Sequence, residues 1–255
     1  LGCELGGYKS KPHDQVLNTW LETAQDPRQD QYPAKDLYTG SHWKEMMTCA
    51  KVSRNFGFSS ELWAVSAGWG LVPSDFQITP YAASFSEGEN SIHNLNWPKE
   101  FNSKERSRYW WQEINKKRDS DLPQSLPRLY SSFKKKSRLR FLIVLSKEYY
   151  LPLESEIIEL ISLGAEVMII SSGIYSEIET INPLIKDHIL PLNMKFKVAD
   201  EHLKKNCHVL NASFATWLVK SYPDELKTGG EAIYTAMNEK LRLINEQTSS
   251  YRAVI

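Results

Sequence analysis

Residues 61–81 read ELWAVSAGWGLVPSDFQITPY, and the reading of this stretch decides the fold. Leu62 to Ser66 is an apolar run of strand length that stops at Ala67-Gly68-Trp69-Gly70 and reopens at Leu71-Val72-Pro73. The run predicts a buried strand and the glycines predict a tight turn at its end. A hydrophobic strand that ends in small residues places backbone amides and an aromatic side chain at one edge of a sheet. In an α/β protein that edge is a common place for a ligand pocket, and the alternative is a plain turn after a core strand.

Upstream, LYTGSHWKEMMTCA (residues 37–50) offers Ser41 as the N-cap of a helix from about His42 to Asn55, with Trp43, Met46, Met47 and Ala50 at helical spacing. Cys49 on that helix reads as a buried small hydrophobe. A shorter helix is predicted over Asp14 to Ala24, with Val16, Leu17, Trp20 and Leu21 on one face, and residues 25–36 read as a loop. Downstream, a polar segment leads to a helix over Ser103 to Lys117, and residues 119–137 read as a mobile connection rich in Pro, Ser and Lys.

Arg140 to Ser146 and Glu166 to Ser171 are continuous apolar runs around a helical Leu153 to Leu163, which predicts a parallel strand pair with a right-handed crossover. Ile189 to Val198 reads as a third strand interrupted around Pro191, and Val209 to Ser221 and Glu231 to Ile244 as amphipathic helices. These readings predict an α/β fold: a mostly parallel central sheet flanked by helices, in one compact domain with irregular basic insertions. Sub-lobes 1–118 and 138–255 are allowed by the 119–137 connection.

The 255 residues suffice for a sizeable core, and Lys+Arg and Asp+Glu balance at 31 each, so global charge does not advertise nucleic-acid binding. No apolar run is long enough to span a membrane. There is no signal-peptide pattern, and the chain does not begin with Met, which leaves room for a native N-terminal piece. Cys3, Cys49 and Cys207 form no C-x-x-C pair, which argues against a disulfide scaffold or structural zinc and fits a reducing cytoplasm.

The common nucleotide, zincin and hydrolase signatures are absent. His13, His42, His93, His188, His202 and His208 show no metal spacing, so neither a metal nor a cofactor is expected. Cys3, between Gly2 and Gly6-Gly7 with Lys9 and Lys11 nearby, has the cationic neighbours that lower a thiol pKa; the alternative is an incidental cysteine. Arg106, Arg108, Tyr109, Trp110 and Trp111, with Lys134, Lys135, Lys136, Arg138 and Arg140, mix phosphate partners with stacking surfaces. The alternative there is a solvated charged face with the tryptophans in the core.

Leu37-Tyr38-Thr39-Gly40-Ser41, then Ser66-Ala67 with Gly70-Leu71-Val72, then Pro80-Tyr81, resemble the YaaA-like superfamily over roughly the first 85 residues. Members usually carry an N-terminal strand ending in a cysteine turn, to which Cys3 with Lys9 or Lys11 corresponds at a different spacing. Within the superfamily the pattern is most similar to members of bacterial systems that place 7-deazaguanines in DNA. That resemblance implies hydration of a 7-cyano-7-deazaguanine base in duplex DNA to the 7-amido form. It implies Cys3 as nucleophile with Lys9 or His13 as proton carriers. Tyr38, Thr39, Gly40, Ser41, Ser66, Ala67, Gly68, Trp69, Gly70 and Tyr81 would bind the base. Arg106, Arg108, Lys134, Lys135, Lys136 and Arg138 would hold phosphates of a flipped-out site. DNA and other proteins of the modification system are the implied partners, with no membrane. A non-catalytic YaaA-like DNA-binding protein is one alternative. An N-glycosidic-bond enzyme using Glu61, Asp75 or Glu87 is another.

Overall fold

The computed structural model describes residues 3–26, 28–118, 121–133, 139–198, 201–204 and 209–252. In chain order the strands are β1 (Cys3–Glu4), β2 (Tyr32–Pro33), β3 (Trp63–Ser66), β4 (Gly70–Pro73), β5 (Gln77–Ile78), β6 (Tyr81–Ala82), β7 (Arg140–Val144) and β8 (Glu166–Ile170). The helices of eight residues or more are α1 (His13–Ala24), α2 (Ser41–Asn55), α3 (Ser103–Lys117), α4 (Leu126–Phe133), α5 (Glu154–Ser162), α6 (Leu210–Ser221) and α7 (Gly230–Arg252).

Helices and short strands mix, but the expected central sheet does not form as one piece among the described residues. The strands pair as four two-stranded ladders, parallel for β1–β6 and β7–β8 and antiparallel for β2–β5 and β3–β4. The predicted third strand at 189–198 is reduced to a single bridge from Ile189 to Ile169, because the chain turns into a 3-10 helix at Met194–Val198. The 119–137 connection contains α4, a helix that buries Leu126, Pro127 and Leu129. Ser41 is the first helical residue of α2 rather than its cap; Gly40 is the N-cap and no side chain bonds there.

The chain forms two compact units that interleave in sequence rather than dividing at 119–137. The first comprises Leu1–Tyr38, Glu61–Ser137 and Glu148–Leu160; the second comprises Thr39–Ser60, Arg138–Lys147 and Ile161–Ile255.

In the first unit, Val16, Leu17, Trp20, Leu21 and Ala24 recur at helical spacing and give α1 one buried face. Helix α3 packs against α1, β4 and the 3-10 turn Leu151–Leu153. Its start is fixed by a capping box, in which Asn102 accepts from the Glu105 amide and Glu105 accepts from the Asn102 amide. Trp110 and Trp111 of α3 are fully buried, so they are core residues and not stacking platforms.

In the second unit, α2 packs on α6, and the core around β7 and β8 includes Cys49, Ile170, Leu190, Phe196, Phe214 and Met237. Asn211 joins the ends of the parallel strands, donating to Leu145 O at 2.9 Å and accepting from Ser172 N at 3.0 Å. His42 Nε2 lies 3.3 Å from Val144 O. Burial lowers the His42 pKa below its ordinary value, which keeps the ring neutral.

Candidate functional site

The turn between β3 and β4 belongs to the core of the first unit. Ser66 pairs with Gly70, leaving a three-residue connection, and Gly70 has φ +73°, the left-handed region where glycine is favoured. A Cβ at Gly70 would meet Asn115 Oδ1 at 2.3 Å.

Side chains from α1, from α3 and from Arg118, the residue that ends α3, take up the polar backbone of this turn. Trp110 Nε1 donates to Ala67 O at 2.7 Å and Trp20 Nε1 donates to Gly68 O at 2.8 Å. Arg118 Nη1 donates to Trp69 O at 2.8 Å and to Leu71 O at 2.9 Å. Asn115 Oδ1 accepts from Leu71 N at 2.8 Å, while Ser66 Oγ accepts from Gly68 N at 3.2 Å and Trp69 N at 2.9 Å.

Each such bond contributes about 1 kcal/mol net, and an orphaned buried partner would cost about 1–3 kcal/mol. The expectation that the Gly68–Gly70 backbone faces a ligand is therefore corrected: those groups already have partners. Ala67 and Trp69 are also buried, and Trp69 meets Phe76 edge-on with centroids 6.3 Å apart. The turn is part of the core.

Ser66 at the start of this turn belongs to a cluster of hydroxyls. Ser66 Oγ lies 2.6 Å from Tyr81 Oη, and the Tyr81 hydroxyl donates to Tyr38 Oη at 3.0 Å. Tyr38 and Tyr81 are half-buried, and their rings meet edge to face at 6.2 Å. Burial raises the pKa of both phenols, against the opposing hydrogen bond from Ser66, so both stay protonated at neutral pH. A neutral phenol offers a hydrogen bond or a proton and is not a resting base.

Cys3 lies on the strand paired with that of Tyr81. β1 pairs with β6 so that Cys3 is in register with Tyr81, and Cys3 N donates to Pro80 O at 3.1 Å. The Cys3 thiol is half-buried, and burial pushes its pKa up to about 11. The expected lowering by lysines is thus corrected. Lys9 is exposed, and Lys11 Nζ sits 5.2 Å above the Tyr8 ring. His13 is held among aromatics: its ring stacks on Trp97 at 4.2 Å, meets Tyr109 at 5.2 Å, and sets Nδ1 3.3 Å from Asn96 O.

The remaining sequence candidates separate. Thr39, Gly40 and Ser41 are exposed and open α2 in the second unit. Arg106 Nε donates to Phe101 O at 2.9 Å, and Arg108 is half-exposed on the same helix. Lys134, Lys135, Lys136 and Arg138 lie outside the described residues. Glu61, Asp75 and Glu87 are exposed, and Asp75 pairs with Lys35. Glu156, by contrast, is buried, where it accepts from Trp111 Nε1 at 2.7 Å and Leu126 N at 2.9 Å.

Sequence reasoning missed Ser84 and Tyr149, whose hydroxyls lie 3.5 Å apart, and the anchoring roles of Trp20, Asn115 and Arg118. Among the described residues, no three His, Cys, Asp or Glu side chains gather where they could hold a metal ion, and no helix is long and apolar enough to cross a membrane. No family model matches the chain, and neither a curated protein nor a solved structure matches it.

Proposed function

We propose that the chain acts on a 7-deazaguanine base carried in duplex DNA and hydrates its 7-cyano group to the 7-amido form. The observation that supports this reading is the pairing of Cys3 with Tyr81, which lays the strand of the thiol alongside the strand of a residue whose hydroxyl meets those of Ser66 and Tyr38. The resemblance of these segments to the YaaA-like superfamily, and within it to the DpdC component of 7-deazaguanine modification systems, supplies the substrate.

The chemistry is thiol addition to a nitrile. Sulfur of Cys3 forms a bond to the nitrile carbon, and the thiol proton passes to the nitrile nitrogen, giving a thioimidate. Water then adds to that carbon and the C–S bond breaks, returning the thiol and leaving the carboxamide. A nitrile nitrogen gaining negative charge needs a donor, and protonated phenols supply one. This favours Tyr81 and Tyr38 over Lys9 and His13 as proton carriers. The base leaves the duplex to reach the site, and Arg106 and Arg108 contribute phosphate contacts.

One observation favours a second reading. A thiol with a pKa of about 11 is not a resting thiolate, which suits a protein that binds the modified base without converting it. Glycosidic cleavage is favoured less, since Glu61, Asp75 and Glu87 are exposed.

Nucleosides from cyano-modified duplex DNA, analysed by mass spectrometry after incubation with the protein, separate the three. Gain of one water on the modified nucleoside is expected. Loss of the free base would replace the reading by glycosidic cleavage, and an unchanged nucleoside would replace it by binding alone.

A further inference from the structure

We propose that a hollow of about 410 Å³ beside α4 binds a zwitterion of the α-amino-acid class, with Arg128 taking its carboxylate and Asp121 its ammonium. None of the lining residues belongs to the hydroxyl cluster, so the inference stands apart from the reading above.

The walls of the hollow are the segment that leads into α4 and the outer face of that helix. Buried side chains fix both. Glu156 Oε2 accepts from Leu126 N at 2.9 Å where α4 begins, and Arg118 Nη2 donates to Pro123 O at 3.2 Å on the approach. Ser125 then closes the first turn, its hydroxyl accepting from Arg128 N at 3.3 Å and its carbonyl from Leu129 N at 2.9 Å. Leu126, Pro127 and Leu129 are buried, which sets the rotation of α4. Arg128, Ser131 and Ser132, three and four positions apart, therefore share the opposite face and line the hollow. Asp121 and Gln124 line it from the leading segment.

The lining brings one cation and one anion to the same cavity. Arg128 and Asp121 are exposed, and among the described residues neither forms an ion pair, with the other or with a third group. A guanidinium takes a carboxylate through two parallel N–H bonds, and an aspartate accepts from an ammonium. The serines agree with that division. Ser131 Oγ donates to Pro127 O at 2.9 Å and Ser132 Oγ to Leu129 O at 2.7 Å, so their remaining capacity is as acceptors. Acceptors suit an ammonium and not a second anion. Phosphate would meet repulsion from Asp121 and a simple amine repulsion from Arg128, whereas a zwitterion satisfies both charges. Leu122 and Pro123 add apolar lining for an aliphatic side chain. Sites of about 300–1,000 Å³ hold small ligands, and the hollow has room for a free amino acid.

The test is saturation-transfer NMR titration of the whole chain at pH 7.5 with L-leucine, its methyl ester, N-acetyl-L-leucine and inorganic phosphate. L-leucine is expected to bind in the millimolar range. The ester lacks the carboxylate and the acetyl form lacks the ammonium, and each is expected to bind about fivefold more weakly, the scale of one solvent-exposed ion pair. Arg128→Gln is expected to weaken L-leucine about fivefold and leave the ester unchanged; Asp121→Asn is expected to weaken L-leucine equally and leave the acetyl form unchanged. Both side chains are exposed, so both variants are expected to melt with the parent. If one does not, the other variant with its matched derivative decides.

Equal binding of L-leucine and its two blocked forms overturns the inference, as does wild-type binding by a variant that melts with the parent. No binding of L-leucine up to about 10 mM also overturns it. Binding of phosphate in place of L-leucine would replace it by a simple anion site.

Discussion

The Tyr81 ring fills the space that a side chain at Gly68 would need: a Cβ built there lies 2.3 Å from Tyr81 Cδ2 and 2.4 Å from Cε2. The turn and the hydroxyl cluster are thereby one object, since the ring that carries the central hydroxyl rests on the bare backbone of the turn. Gly68→Ala is expected to push Tyr81 off Ser66 and to destabilise the protein by about 1–3 kcal/mol, the usual cost of overpacking. Urea denaturation reads the stability, and binding of the cyano base is expected to fall at least about tenfold. Wild-type stability would show that Tyr81 moves freely.

Arg118 holds the other side of the same turn. Burial lowers its pKa to about 10, which still leaves it charged at neutral pH, and one of its nitrogens serves both Trp69 O and Leu71 O. Arg118→Met removes that donor and orphans two buried carbonyls, so a loss of about 2–4 kcal/mol is expected in urea denaturation. A loss under about 0.5 kcal/mol would mean that water replaces the guanidinium.

Tyr81→Phe separates binding from folding. Ser66 keeps its two amide donors, so the stability change is expected to be only about 1 kcal/mol. Affinity for the cyano base, read by calorimetry, is expected to drop about tenfold, because the central hydroxyl is gone. Unchanged affinity would remove the cluster from the site.

The Cys3 thiol gives a pH signature. With its pKa raised by burial from the ordinary 9.0 to about 11, the neutral thiol is the favoured folded form. Its contribution to stability is therefore fully present below pH 9 and is lost as pH rises toward 11. In a Cys49→Ala/Cys207→Ala background, the alkylation rate with iodoacetamide is expected to rise about tenfold per pH unit above neutrality, with no plateau near pH 7. A plateau near pH 7 would mean an activated thiolate in the free protein.

Local pattern was legible in the sequence wherever it is periodic. The face of α1 and the paired runs at β7 and β8 follow directly from apolar spacing. Ser66, Tyr81 and Tyr38 stand in separate segments of the chain, and their hydroxyls meet across 15 and 43 positions. Three things were not legible. The strands are too short to merge, as at Ile189, where the interruption around Pro191 leaves a single bridge and the chain turns into 3-10 helix. The lysines near Cys3 in sequence point elsewhere in space, so burial and not charge sets its pKa. Arg118 and Asn115 reach back 49 and 44 positions to the turn, and a hydrogen bond of that range leaves no local pattern.

In the proposed reaction Cys3, on the strand paired with that of Tyr81, adds to a nitrile held at the hydroxyl cluster. The most direct measurement is intact-protein mass spectrometry after mixing with 7-cyano-7-deazaguanine and acid quenching, followed by peptide mapping. Thiol addition to a nitrile expels no group, so the predicted result is a mass increase equal to the whole base, mapped to Cys3 and absent from Cys3→Ala. An unmodified protein, or an adduct mapped to Cys49, would contradict it.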